Sequence, residues 1–217
     1  MRGHTGAMTT TVLHDLDGAV ARARDLVAAG GRMLGIAGAP GAGKSWLVDE
    51  LLVRLVDLAP AHVPMDGFHL ADVTLDRLGL RNVKGAPETF DVGGYVATLR
   101  RIVSRAEGRV YVPGFSRDLE EPLAAALEVS REAGLVVTEG NYLLLDEPGW
   151  REARGLLDEV WYVNVPDDVR VRRLVERHVT FGKAREEAAA WVRRSDEANA
   201  RRVVAVRGRA DVEVHLG

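Results

Sequence analysis

Eight residues decide most of what this chain can fold into. Gly38-Ala39-Pro40-Gly41-Ala42-Gly43-Lys44-Ser45 fits the pattern G-x-x-x-x-G-K-[ST] in full. The apolar run Met33 to Ala37 leads into it and reads as a buried strand. Helical spacing from Ser45 to Leu58 leads out of it and stops at Ala59-Pro60. A strand, a glycine-rich turn and a helix start, in that order, let the backbone wrap an anion with its N–H groups pointing inward. The helix start adds a partial positive charge. The pattern therefore predicts a phosphate cradle formed by Gly38, Ala39, Pro40, Gly41, Ala42, Gly43, Lys44 and Ser45, with Trp46 beside it. Lys44 is expected to reach the β- and γ-phosphates and Ser45 to ligate Mg²⁺. A glycine-rich turn without a ligand would not need the complete motif and both flanking elements.

Further short apolar runs fall at Ala61–Met65, Leu135–Thr138, Val160–Val165 and Val212–His215, with Arg109–Val112 as another candidate strand. Helical spacing is expected over Val12–Ala29, Asp167–His178 and most of Glu186–Val206, and the Ala-rich stretches fit helices. Strands that alternate with helices predict a parallel sheet covered on both faces. Residues 1–11 are set aside as a flexible or appended start. Residues 12–217 are expected to form a single domain.

Composition narrows the class. A chain of 217 residues is enough for one α/β domain with at most a small cap. With 47% hydrophobic and 28% charged residues, it is not a disordered chain. No apolar run reaches the roughly 18 residues of a membrane span, and no secretory segment opens the chain. The absence of cysteine excludes disulfides, thiolate catalysis and Cys-ligated zinc. A net charge of −3 without a long basic block argues against nucleic acid as a partner. The expectation is a cytoplasmic protein acting on a small molecule, with a homodimer left open. Of 29 basic residues only Lys44, Lys84 and Lys183 are lysines. In a chain this biased towards arginine, a retained lysine points to a place that needs a compact ammonium.

No [NT]-K-x-D base-reading motif occurs, and Asp91-Val92-Gly93-Gly94, which fits D-x-x-G, has no strand leading into it. The chain is short for a helicase or transporter ATPase and lacks their second-domain motifs, so a small-molecule kinase is the better expectation. Such an enzyme needs a carboxylate to accept the proton of the attacking hydroxyl, and ligands for Mg²⁺. Asp66 and Glu139 each stand at the carboxyl end of an expected strand, where parallel sheets bind ligands. Asp66 is assigned as the base. Glu139 is assigned to Mg²⁺, directly or through water. The glycines that follow them, Gly67 and Gly140, are expected to let the chain turn sharply away.

Met65-Asp66-Gly67-Phe68-His69-Leu70, Lys84-Gly85-Ala86-Pro87-Glu88-Thr89-Phe90-Asp91 and Thr138-Glu139-Gly140-Asn141-Tyr142 together resemble the phosphoribulokinase/uridine kinase/pantothenate kinase family, in particular its bacterial nucleoside/nucleotide kinase-like members. The resemblance runs from about Met33 to Asp211. It implies an α/β P-loop NTPase fold of the nucleoside-kinase-like kind. That fold has a parallel five-stranded sheet in the order 2-3-1-4-5, helices on both faces and a small lid. It also implies ATP as donor, with Mg²⁺, and a hydroxyl of a small metabolite as acceptor. The arginine-rich run Arg170 to His178 resembles the family's lid, placed at about 168–185. Arg170, Arg173 and Arg177 share one helix face there, and Arg173 and Arg177 are the candidates to neutralise the triphosphate.

By the same resemblance His69, Lys84, Phe90, Asp91, Arg117 and Tyr142 are expected to line the acceptor pocket. Phe115-Ser116-Arg117 departs from the Tyr-Ser-His of pantothenate kinase, so the likeness names no acceptor: nucleoside-like, sugar-like and pantothenate-like molecules stay open. Two further readings stay open as well. One is a nucleotide-binding regulatory protein without phosphotransfer. The other is a nucleoside monophosphate kinase, for which Arg117 alone offers an acceptor-side cation. Trp191, Asp196 and Asn199 recur in the relatives without an assigned role.

Overall fold

A computed structural model describes residues 11–215. In chain order the elements are β1 (Thr11–Leu13), α1 (Leu16–Ala28), β2 (Met33–Ala37), α2 (Lys44–Arg54), β3 (Ala61–Pro64), α3 (Asp72–Leu78) and α4 (Val92–Ser104). Then follow β4 (Arg109–Ser116), β5 (Glu121–Ser130), β6 (Val136–Gly140), α5 (Trp150–Arg154) and β7 (Glu159–Asn164). The chain closes with α6 (Asp167–Thr180), α7 (Arg185–Trp191), α8 (Glu197–Ala205) and β8 (Val212–His215).

Six strands form one parallel sheet in the order β1-β8-β7-β2-β6-β3. Its side chains alternate between two apolar layers, as a sheet buried on both faces requires. Leu34, Ile36, Val137, Trp161 and Val163 pack with α1 and α2. Met33, Ala37, Val136, Val160 and Tyr162 pack with residues of α4 and α5. The five expected strands keep the order 2-3-1-4-5. The register sets Glu139 of β6 opposite Ile36 on one side and Pro64 on the other. Thr138 Oγ1 donates to Val63 O at 2.6 Å and accepts from the buried Tyr95 OH at 2.6 Å. This chain of bonds fastens β6 to β3 beside Glu139.

Three expectations are corrected. The first concerns the sheet, which gains a sixth strand. Thr11–Leu13 pairs with Val212–Val214, so the helix expected from Val12 begins only after Asp15, whose Oδ1 caps Gly18 N at 2.7 Å. Thr11, placed in the N-terminal stretch 1–11, belongs to that strand; residues 1–10 lie outside the described residues. The second concerns the strand expected over Arg109–Val112. It runs on through Pro113 to Ser116 and pairs with β5 as a separate antiparallel hairpin. The third concerns Ala124, Ala125 and Ala126, which lie in β5 and not in a helix. They form the irregular stretch of the hairpin, between Leu123 and Leu127, which pair with β4. Opposite them the register slips between Val112 and Gly114, and Ala125 takes a left-handed φ of 54°.

His62 on β3 encloses its Nε2 with no partner among the described residues. Burial pushes its pKa down, against the attraction of Asp49 and Asp66. The unfolded chain therefore binds the proton more readily below about pH 6.5, and stability is lost as pH falls through that range. Replacing His62 with Leu should remove this acid sensitivity and raise stability at pH 5.5 by about 1 kcal/mol relative to pH 7.5. Thermal melts at both pH values read the difference; equal pH slopes for the two proteins would contradict it.

Candidate active site

The expected cradle closes around the end of β2. Gly43 occupies the N-cap of α2 at φ 96°, and Gly41 sits at φ 79°, where a Cβ would come within 2.6 Å of Arg170 O. Only glycine meets both demands at Gly41. Lys44, the first residue of α2, is buried and donates through Nζ to Gly38 O at 3.0 Å, Ala39 O at 3.3 Å and Asn141 Oδ1 at 2.6 Å. Burial lowers its pKa while Glu139 and Asp66 raise it. Pro40, Gly41, Gly43, Lys44, Ser45 and Trp46 face a cavity of about 650 Å³. Gly38, Ala39 and Ala42 shape the loop from behind, and Ala39 and Ala42 border a smaller hollow of about 240 Å³ instead.

Both acids reach the same cavity. Asp66 lies in the turn Met65–Phe68 that follows β3, and Arg117 Nη2 donates to its Oδ2 at 2.8 Å. Burial works to raise the Asp66 pKa, but its cationic surroundings, led by His69 and Arg117, hold it below the usual carboxylate range. His69 is itself pushed down by burial, which leaves Arg117, then Lys44 and Arg177, as the permanent cations that favour the ionised form of Asp66. Glu139 is 7% exposed and has no hydrogen-bond donor among the described residues. Burial first, then the neighbouring Asp66, pushes it up to about 7, with Lys44 opposing. Two adjacent carboxyls in one cleft are thus driven apart in acidity.

The glycines after the acids serve a different end from the one expected. Neither has a left-handed φ. A Cβ at Gly67 would stand 2.3 Å from Pro113 O, and one at Gly140 would stand 2.4 Å from Met65 Sδ. Gly67 lets the hairpin press against the Asp66 turn, which is how Arg117 arrives beside Asp66. Gly140 lets β6 close against that same turn.

His69, Lys84, Phe90 and Arg117 line the cavity; Asp91 and Tyr142 do not. Asp91 caps α4 through Oδ1 to Gly94 N at 2.8 Å, which explains its D-x-x-G match as a helix start. Tyr142 is buried, its ring set edge-on to Phe90, and its OH donates to Gly85 O. Lys84 Nζ pairs with Asp72 Oδ1 at 2.5 Å and also donates to Glu120 O; Arg81 shares the same Asp72 oxygen. On α6, Arg173 and Arg177 face the cavity, and Arg173 Nη1 comes within 3.4 Å of where a Gly43 Cβ would lie. Burial, then Arg117, lowers the Arg177 pKa. Arg170 shares their helix face, one turn earlier, but does not line the cavity. It is buried and binds Glu197 at 2.6 Å and Asp167 at 3.0 Å. Asn141, Arg81, Glu120 and His178 join the lining without having been singled out by sequence. All three lysines line this cavity.

An uncharacterised Escherichia coli protein, YggC, is 38% identical to the chain over 181 residues, covering 82% of this chain and 74% of its own. A Schizosaccharomyces pombe protein provisionally named a uridine kinase is 33% identical over 177 residues, covering 77% and 75%. The crystal structure of a provisionally named fructose transport system kinase from Silicibacter sp. superposes with a TM-score of 0.78 at 37% identity, covering 89% of this chain and 97% of that one. No family model matches. The chain belongs to the phosphoribulokinase/uridine kinase family of P-loop kinases.

As a P-loop kinase of this family it binds ATP and transfers phosphoryl groups. No helix among the described residues is long and apolar enough to cross a membrane. The kinase depends on the tight seam between its hairpin and the Asp66 turn. Gly67→Ala must displace backbone and should cost about 1–3 kcal/mol. Gly93→Ala, in the first turn of α4 with only an ordinary contact 3.7 Å away, should be neutral or stabilising by up to about 1 kcal/mol. Urea unfolding of the two variants checks the contrast, and equal stabilities would refute it.

Proposed function

We propose that this kinase transfers the γ-phosphoryl group of Mg·ATP to an alcohol oxygen of a small metabolite, with Asp66 as general base. The observation that carries this reading is the register of β2, β6 and β3, which sets Lys44, Glu139 and Asp66 side by side at one end of the sheet. Asp66, its ionised form favoured by Arg117, takes the hydroxyl proton as the acceptor oxygen bonds to the γ-phosphorus and ADP departs. Lys44 and the lid arginines Arg173 and Arg177 neutralise charge on the phosphates. Of the phosphate-loop residues from Gly38 to Ser45, all but Pro40 carry backbone N–H groups that can donate to the phosphates, with Trp46 at the rim. His69, Lys84, Phe90 and Arg117 form the acceptor side. The relatives' names, a uridine kinase and a kinase of a fructose transport system, both point to hydroxyl-bearing acceptors.

The site's chemistry fits Mg²⁺. Glu139 is a buried carboxylate without a donor among the described residues, facing the same cavity as Ser45, and hard cations take such oxygens. Among the described residues no set of three His, Asp or Glu side chains gathers into a metal site. Ser45 and Glu139 would be the protein's ligands, and phosphate and water oxygens would supply the others. When bound, Mg²⁺ would neutralise charge on the phosphates. Glu139 must lose its proton to bind it.

Asp66→Asn should lower kcat about 10²- to 10⁴-fold in a coupled ADP-release assay, with Mg·ATP affinity by calorimetry largely intact. Full activity would remove Asp66 from the role of base. The apparent Mg²⁺ affinity should fall as pH drops from 8 to 6, approaching roughly tenfold per unit at the acid end, since one proton competes with the metal. Glu139→Gln should weaken binding and flatten that dependence; an unchanged slope would place the titrating group elsewhere.

A further inference from the structure

Arg117 stands among several carboxylates and takes the distant one. It lies in the turn between β4 and β5, next to Asp118 and close in sequence to Glu120 and Glu121. Glu121 is already engaged, accepting from Asp72 N at 3.0 and 3.3 Å. The carboxylates of Asp118 and Glu120 have no partner among the described residues, yet Arg117 pairs with neither. Its Nη2 reaches out of the turn to Asp66 Oδ2 at 2.8 Å. That is one bond, made by a side chain that is 40% exposed. A single ion pair of this kind holds a long side chain weakly, because ordering the chain offsets much of the attraction. Asp66 alone therefore does not explain why the guanidinium stays there.

Phe115, the next-to-last residue of β4, supplies the missing contact. Arg117 Cζ lies over its ring, 5.0 Å from the centroid, where a guanidinium is drawn to the negative π-face. Lys84 Nζ also stands over this ring, but at 6.0 Å, and Asp72 and Glu120 O already hold it. The ring of His69 packs tilted against Phe115 with centroids 5.0 Å apart, and His69 Nδ1 lies 2.7 Å from Asp66 O. One ring thus touches two residues that meet Asp66, His69 at its backbone and Arg117 at its carboxylate. Phe115 does not itself line the main cavity, so any effect it has on the reaction passes through those neighbours. Its place is fixed by the hairpin register, which sets it opposite Pro122, and by the contact of Pro113 with Gly67.

We propose that Phe115 is a positioning residue, whose ring face seats the Arg117 guanidinium on Asp66 and away from Asp118 and Glu120. This rests on the reading of Asp66 as general base. His69 holds the ring from the Asp66 side. Without the ring, Arg117 divides its time among the three carboxylates.

The full chain, labelled with ¹⁵N-arginine, is to be compared as wild type, Phe115→Leu, Phe115→Met, Phe115→Tyr and Asp66→Asn. The Arg117 Nε–H resonance is identified by its loss in Arg117→Lys. In the wild type the ring current should displace this resonance upfield. The displacement should persist in Phe115→Tyr and in Asp66→Asn, and vanish in Phe115→Leu and Phe115→Met. ADP release is followed with uridine and with fructose as probe acceptors. In Phe115→Leu and Phe115→Met kcat should fall about three- to tenfold, with the KM for ATP within about twofold of wild type, and Phe115→Tyr should recover the rate. Should Phe115→Leu fail to fold, Phe115→Met, an unbranched chain of similar bulk, carries the comparison. An Arg117 resonance that stays put without the ring overturns the proposal, as does one whose displacement Asp66→Asn alone removes. A rate loss that Phe115→Tyr does not recover, or that comes with an equal rise in the KM for ATP, also overturns it. If the wild type turns over neither compound, the missing ADP counts against the kinase reading for these acceptors, and the Arg117 resonance alone upholds or overturns the seat.

Discussion

Lys44 carries an ammonium group into the protein, and the architecture around it answers that demand. A buried cation needs acceptors on every side. The loop carbonyls of Gly38 and Ala39 supply two, and Asn141 supplies the third. Burial lowers the Lys44 pKa, and Asp66 and Glu139 oppose that shift. These groups come from three neighbouring strands, so the parallel register of β2, β6 and β3 is what lets them meet. A slip of one residue in β6 would turn Glu139 to the other face of the sheet.

Segments far apart in sequence tie down the rim of this cluster. The β4–β5 hairpin reaches Asp66 through Arg117 and presses Pro113 against Gly67. The loop that carries Lys84 hangs from Tyr142 and Asn199, which both donate to Gly85 O. Helix α6 is latched to the following segment at two heights, by Arg170 to Glu197 and by His178 to Asp196. Arg173 and Arg177 stand between these latches, so their placement beside the phosphate loop is set by contacts on either side of them.

Much of this was legible in the sequence because it is local. The phosphate loop is contiguous, and the buried strands declare themselves as short apolar runs. Both acids stand directly after or within such runs. What stayed hidden depends on contacts between distant segments. The strand role of Thr11–Leu13 rests on pairing with Val212–Val214 and leaves no periodicity of its own. Ala124–Ala126 look helical by propensity and instead form the irregular stretch of β5 between Leu123 and Leu127, which pair with β4. Asp91 and Tyr142 lie in family motifs, yet their side chains serve a helix cap and a backbone carbonyl; spacing cannot show that. Asn141 was quoted next to Glu139, but only the fold puts its amide on Lys44. The three lysines, scarce in the composition, line one cavity.

Phosphorus NMR of the enzyme with Mg·ATP and a hydroxyl-bearing acceptor tests the central claim most directly. A new phosphomonoester resonance should grow in step with ADP, and Asp66→Asn should suppress it while ATP still binds. Inorganic phosphate as the sole new product beside ADP, at the same rate with and without acceptor, would contradict it.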